Sequence, residues 1–191
     1  ELQVKGPTVM KGYWKRPDAT AEVFTEDGWF RTGDQADLSD AGRIRIKGRI
    51  KEIIVTSTGE KIPPTDMELA IQTDPLFEQV MVVGEARPFI TALAVVNEAE
   101  WEKFAKEFNV NPSDDRMLMR RDIRMAALKR LKKAASRFPQ YGIPRNIRLL
   151  KEHWTVDNGC LTVTMKLRRP IIREKLRAEI DELYTVPQNN V

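Results

Sequence analysis

Apolar positions follow different rhythms in the two ends of this chain. Leu2 and Val4 alternate with polar neighbours until Gly6-Pro7 breaks the run, and Ile44 and Ile46 alternate with Arg43, Arg45 and Lys47. A period of two sends successive side chains to opposite faces of a strand, so residues 43–47 are expected to form a strand with one apolar and one wet face. Asp27-Gly28 and Asp40-Ala41-Gly42 stand where hairpin turns belong. Residues 1–49 therefore read as a β-rich unit. The chain opens inside a strand, and a larger N-terminal portion is expected ahead of it.

Beyond Lys51 the pattern becomes mixed. Ile53-Ile54-Val55 reads as a short buried strand, and Pro63-Pro64-Thr65 leads into a helix in which Thr65 and Glu68 have capping-box spacing. Residues 80–83 and 92–96 are apolar runs of strand length. Asn97 is placed to cap a helix with Trp101, Phe104, Ala105 and Phe108 on one face, stopped by Asn109 and Pro112. A second helix is expected over 116–138, with Met119, Ile123, Ala127, Leu131 and Phe138 aligned. A last one starts at Pro170 and buries Ile172, Leu176, Ile180 and Leu183. The predicted fold is α+β: a small β-rich subdomain, then a compact mixed α/β domain over 50–186 with a short sheet flanked by helices, then a polar tail at 187–191.

Composition narrows the chemistry. With 41% hydrophobic residues in 191, the chain can build a core. The lone Cys160 excludes an internal disulfide, and with the lone His153 it leaves no His/Cys zinc cluster. No apolar run approaches the roughly 18 residues of a membrane span, and residues 1–4 do not resemble a signal peptide. A cytoplasmic location is expected, compatible with peripheral association at the inner membrane face. The charge of +4 suits an anionic partner without choosing among nucleic acid, lipid and polyphosphate. The basic run from Arg116 to Arg137 reads as a solvated helix face.

Four short motifs in order carry more. They are Leu2-Gln3-Val4-Lys5-Gly6-Pro7-Thr8-Val9-Met10-Lys11-Gly12-Tyr13-Trp14, then Pro17-Asp18-Ala19-Thr20, then Trp29-Phe30-Arg31-Thr32-Gly33-Asp34, then Gly48-Arg49-Ile50-Lys51-Glu52, with Leu161 to Arg169 adding a further one near the C-terminus. Singly each is weak; Thr32-Gly33-Asp34 alone would be a β-turn, and Arg49 alone a surface arginine. Together they resemble the adenylate-forming superfamily, in the form typical of long-chain acyl-CoA synthetases.

That resemblance implies ATP-dependent, AMP-forming activation of a fatty acid, followed by transfer to coenzyme A. It implies that Asp34 holds the AMP ribose, that Arg49 contacts the nucleotide, that Lys51 is a domain hinge, and that Gly59, Glu60 and Lys61 approach coenzyme A. Pro17 to Thr20 would be a loop preceding the nucleotide site. Lys166 would be the catalytic lysine, with Met165 standing where the commoner form has glycine and Arg169 keeping an arginine three positions on. Glu68, explained by helix capping, is given no catalytic role. Mg2+ would be held by ligands outside this chain, as would the phosphate loop and acyl pocket, so the fragment alone is expected to be inactive. Another acid, or a carrier-protein acceptor, is the alternative within the fold. A basic nucleic-acid-binding module is the alternative from another class, but no such motif is present and no nucleic acid partner is expected.

Overall fold

The computed structural model describes residues 1–39 and 42–185; the expected turn at Asp40-Ala41 and the polar tail at 187–191 lie outside the described residues. The chain divides into two units, Glu1–Ile53 and Ile54–Val191.

The first unit contains β1 (Gln3–Val4), α1 (Pro17–Val23), β2 (Phe30–Arg31), β3 (Asp34–Asp37) and β4 (Arg45–Arg49). β1 pairs with β2 and β3 with β4, both antiparallel. Gly28, at φ 82°, closes the expected turn by donating to the Thr25 carbonyl at 2.9 Å. Two expectations need correction. Pro17 to Thr20 is no loop but the first turn of α1, where proline's fixed φ favours a helix start and the Thr20 hydroxyl donates to the Arg16 carbonyl at 2.8 Å. The strand at 45–49 forms, yet Ile44 and Ile46 are 60% and 47% exposed, because among the described residues this two-stranded ribbon carries no second layer over that face.

The second unit runs β5 (Ile54–Val55), β6 (Lys61–Ile62), α2 (Pro64–Ile71), β7 (Phe77–Val83), β8 (Thr91–Val96), α3 (Glu98–Glu107), a 3-10 turn (Asp115–Met119), α4 (Arg121–Ala134), β9 (Asn146–Leu150), α5 (Arg169–Lys175) and α6 (Arg177–Thr185). Its sheet has the order β7-β8-β9, antiparallel then parallel. Every residue of β8 is buried. Ala92, Ala94 and Val96 face a cluster with Phe77, Trp101, Phe104, Ile123, Leu131 and Ile147, whereas Leu93 and Val95 join Trp154, Leu161, Ile172, Ile180 and Leu183. A strand covered on both faces reads as a continuous apolar run, as Thr-Ala-Leu-Ala-Val-Val does.

α3 forms as its pattern predicts, with the Asn97 side chain accepting the Glu100 amide. The helix expected over 116–138 is instead a 3-10 turn and a shorter α4, parted by extended backbone at Arg120 (ψ 134°). The last helix likewise breaks at Leu176 into α5 and α6. β9 was not anticipated, although Ile147 and Leu149 alternate with less buried neighbours there. The capping box is also absent: α2 starts behind Pro63 with no side-chain cap, and Thr65 lies within its first turn.

Arg130 of α4 grips Asp74, just beyond α2, with hydrogen bonds of 2.9 and 2.6 Å. Burial pushes the Asp74 carboxyl upward, but hydrogen bonds from Arg130 and the Leu76 amide, with the nearby cationic charge, hold it below its ordinary value. A carboxyl depressed in the folded state stabilises fully above its unfolded pKa, about 4, and loses that contribution as pH falls through the folded value. The urea midpoint should therefore drop on acidification from about pH 5 toward 3, and Asp74→Asn should flatten part of that slope, as urea titrations across the range will measure.

Candidate functional site

In the first unit, the β3–β4 register sets Asp34 directly opposite Arg49. The Arg49 Nε lies 3.3 Å from an Asp34 carboxylate oxygen, and its guanidinium donates to the Thr32 carbonyl at 2.8 Å. The turn leading into Asp34 is shaped by the intervening residues. Gly33 has φ 72°, and a Cβ there would come within 3.3 Å of the Arg49 guanidinium. The Thr32 hydroxyl donates to the Leu2 carbonyl and accepts the Asp34 amide. Two residues singled out separately from sequence thus form one pair. Their side chains are 28% and 52% exposed, and an exposed pair of this kind stabilises by only about 0–1 kcal/mol, so either partner is available to a ligand. A carboxylate offering two acceptors beside a cationic donor fork suits a sugar diol adjoining a phosphate. Lys51 follows in an exposed position within the 3-10 turn Ile50–Glu52, at the end of this unit.

In the second unit, Gly59 to Lys61 close the β5–β6 hairpin. Gly59 adopts φ 84°, and nothing lies within 4 Å of where a Cβ would be. Buried Thr56 organises the turn: its amide donates to the Glu60 carbonyl, and its hydroxyl accepts the Glu60 amide. The Ser57 amide donates to the Arg87 carbonyl and the Val55 amide to the Glu85 carboxylate, tying this hairpin to the β7–β8 connection.

Lys166 stands on a second tight turn. Leu161 and Leu167 form an antiparallel bridge, and between them the Thr162 amide donates to the Lys166 carbonyl while the Met165 amide donates to the Thr162 carbonyl. The Thr162 hydroxyl accepts the Lys166 amide at 3.1 Å. Met165 adopts φ 61°, so the turn keeps a glycine-favoured conformation without the glycine. Lys166 is exposed and precedes α5, so it does not belong to that helix's basic start. Arg168 is occupied otherwise, its amide donating to the Cys160 carbonyl and its guanidinium to the Gly159 carbonyl.

Sequence reasoning missed the strongest polar contact near this turn. Arg169 meets Glu68 through two hydrogen bonds of 2.7 and 2.6 Å, with side chains only 15% and 7% exposed. Glu68 also accepts the Val82 amide at 2.8 Å. The missing signal was long-range pairing: Glu68 lies on the buried face of α2 and had been assigned a local cap.

Residues 51–187 match the family described as AMP-binding enzyme C-terminal domain, and the chain belongs to that family. Across 96% of its length the chain is 36% identical to long-chain-fatty-acid–CoA ligase FadD15 of Mycobacterium tuberculosis, of which it covers 31%. It is 32% identical, again over 96% of its length, to the Arabidopsis thaliana chloroplast long-chain-fatty-acid–[acyl-carrier-protein] ligase AEE15, covering 25% of that protein. Its backbone also resembles the adenylation domain of carboxylic acid reductase from Segniliparus rugosus, solved with AMP and a co-purified carboxylic acid, with a TM-score of 0.80 and 28% identity over 96% of this chain and 28% of that one. The chain therefore spans about a third or less of the length of these proteins.

A left-handed conformation costs a non-glycine residue roughly 1–2 kcal/mol. Met165→Gly should leave thermal stability unchanged or raise it, by up to about 1 kcal/mol, whereas Met165→Val should lower it by at least about that much, read from the melting of the second unit.

Proposed function

We propose that this chain is the C-terminal part of an ATP-dependent, AMP-forming ligase that activates a long-chain fatty acid and passes it to coenzyme A. The observation that carries the reading is the exposed Lys166, held on a turn that keeps the family's glycine-like backbone and followed three residues later by an anchored arginine. In this reading Asp34 holds the ribose hydroxyls and Arg49, beside it, meets the α-phosphate. The Lys166 ammonium sits between the substrate carboxylate and that phosphate and offsets the charge that shifts between them. ATP supplies the leaving pyrophosphate, and Mg2+ would be held upstream. Rotation about Lys51 then withdraws Lys166 and brings the Gly59 hairpin to coenzyme A. That hairpin bonds the backbone of Arg87, which with Arg173, Arg177, Glu85 and Asp181 lines a cleft of about 150 Å³, Arg87 being paired with Asp181 there. A carrier-protein thiol as acceptor is the second reading, favoured by the likeness to the Arabidopsis carrier-protein ligase.

In the full-length protein Lys166→Ala should cut acyl-adenylate formation, followed by hydroxamate trapping with ATP and palmitate, by on the order of 10²–10³. It should spare conversion of supplied acyl-adenylate to thioester, and Arg168→Ala should do much less. Greater damage from Arg168→Ala would overturn the assignment. Lys51→Pro should slow thioester formation while leaving adenylation nearly intact, because proline restricts the φ change a hinge requires. Equal loss in both half-reactions, measured in single-turnover assays, would make Lys51 a structural support instead.

A further inference from the structure

The ion pair between Glu68 and Arg169 lies outside every role assigned so far. Lys166 itself has no side-chain partner among the described residues, so the place of its ammonium is set by the backbone of its turn. That backbone is closed at its base by the Leu161–Leu167 bridge and the Arg168 bond to Cys160. Directly beyond this closure stands Arg169, the first residue of α5, whose guanidinium reaches Glu68. Glu68 cannot swing to follow a moving turn, because one of its oxygens also accepts the Val82 amide on β7, the outer strand of the sheet. The turn is thus tied to the edge strand of the second unit's sheet through a rigid, bidentate contact.

Energetics point the same way. Replacing a buried ion pair with well-packed apolar residues is often neutral or stabilising, so net stability does not account for this pair and geometric definition is the role to test. Geometry is what Lys166 needs, since a displacement of about 1 Å at a reacting centre can cost roughly 10²-fold in rate.

We propose that the Glu68–Arg169 pair registers the Lys166 turn against the sheet, making Glu68 and Arg169 positioning residues for carboxylate activation. The inference rests on the catalytic reading of Lys166 given above.

The test uses the full-length protein and the variants Lys166→Ala, Glu68→Gln, and Glu68→Met combined with Arg169→Leu, with Lys166→Ala also introduced into each of the last two. Glu68→Gln keeps one acceptor oxygen for the Val82 amide but removes the charge and sets an NH2 donor against the Arg169 guanidinium, breaking the bidentate contact. The apolar pair keeps the volume filled and guards against failure of the first variant to fold. Each pair variant should lower kcat for hydroxamate formation roughly 10- to 100-fold with KM for ATP and acid within about twofold, and leave thioester formation from supplied acyl-adenylate within about twofold. A positioning role further requires that Lys166→Ala cost far less in a pair-variant background than in the native protein, because a misplaced lysine has little left to lose. Near-native adenylation by a folded pair variant, equal loss in both half-reactions, or strict additivity with Lys166→Ala would each overturn the proposal. If Lys166→Ala alone leaves adenylation intact, the catalytic reading falls and this inference with it; if it cripples adenylation while the pair variants do not, only the inference falls.

Discussion

Everything in the second unit follows from the need to cover β8 on both faces. Its six residues are all buried, so each side of the sheet requires its own apolar layer. One is supplied by α2, α3 and α4 through Ile71, Trp101, Phe104 and Leu131. The other comes from the last part of the chain: Trp154, Cys160, Leu161, and then Ile172, Ile180 and Leu183 of α5 and α6. The turn carrying Lys166 grows out of that second layer, since Leu161 and partly buried Leu167 belong to it. A lysine far into solvent is therefore placed by hydrophobic packing beneath it.

The polar chemistry sits where the backbone departs from regular structure. Gly33, Gly59 and Met165 all have positive φ, and each lies at or beside a residue with a proposed ligand role. Turns of this kind expose side chains and amides at their tips while the strands beneath hold them still. The first unit does this with a two-stranded ribbon that opposes Asp34 to Arg49, and the second with two hairpin-like turns.

How much of this was legible in the sequence depended on how local the cause was. The α3 helix was predicted with its Asn97 cap and its apolar face, because both are written within a few residues. β7 and β8 were both expected as strands from their apolar runs, whereas their antiparallel pairing is a finding of the structure. β9 was missed because its partner is a parallel strand reached only after two α-helices and two 3-10 turns, and no short turn signals that pairing. The helix expected over 116–138 had the right period, but extended backbone at Arg120 divides it. Thr65 and Glu68 show the limit most clearly: their spacing fits a cap, yet the burial of Glu68 commits it to an arginine near the other end of the unit. At the candidate site, Asp34, Arg49 and Lys166 were singled out by motif order, whereas the contacts around them were not, because those contacts are made across the fold.

The double coverage of β8 also bears on how the chain is made. Leu93 and Val95 emerge from the ribosome well before Ile172, Ile180 and Leu183, which cover them. During synthesis the nascent sheet therefore carries one bare apolar face until the last helices arrive, the interval in which collapsed intermediates are most prone to aggregate. Tyr184, whose hydroxyl contacts the Val83 and Phe89 carbonyls, arrives with those helices. For this unit, the core closes only once α5 and α6 have been made.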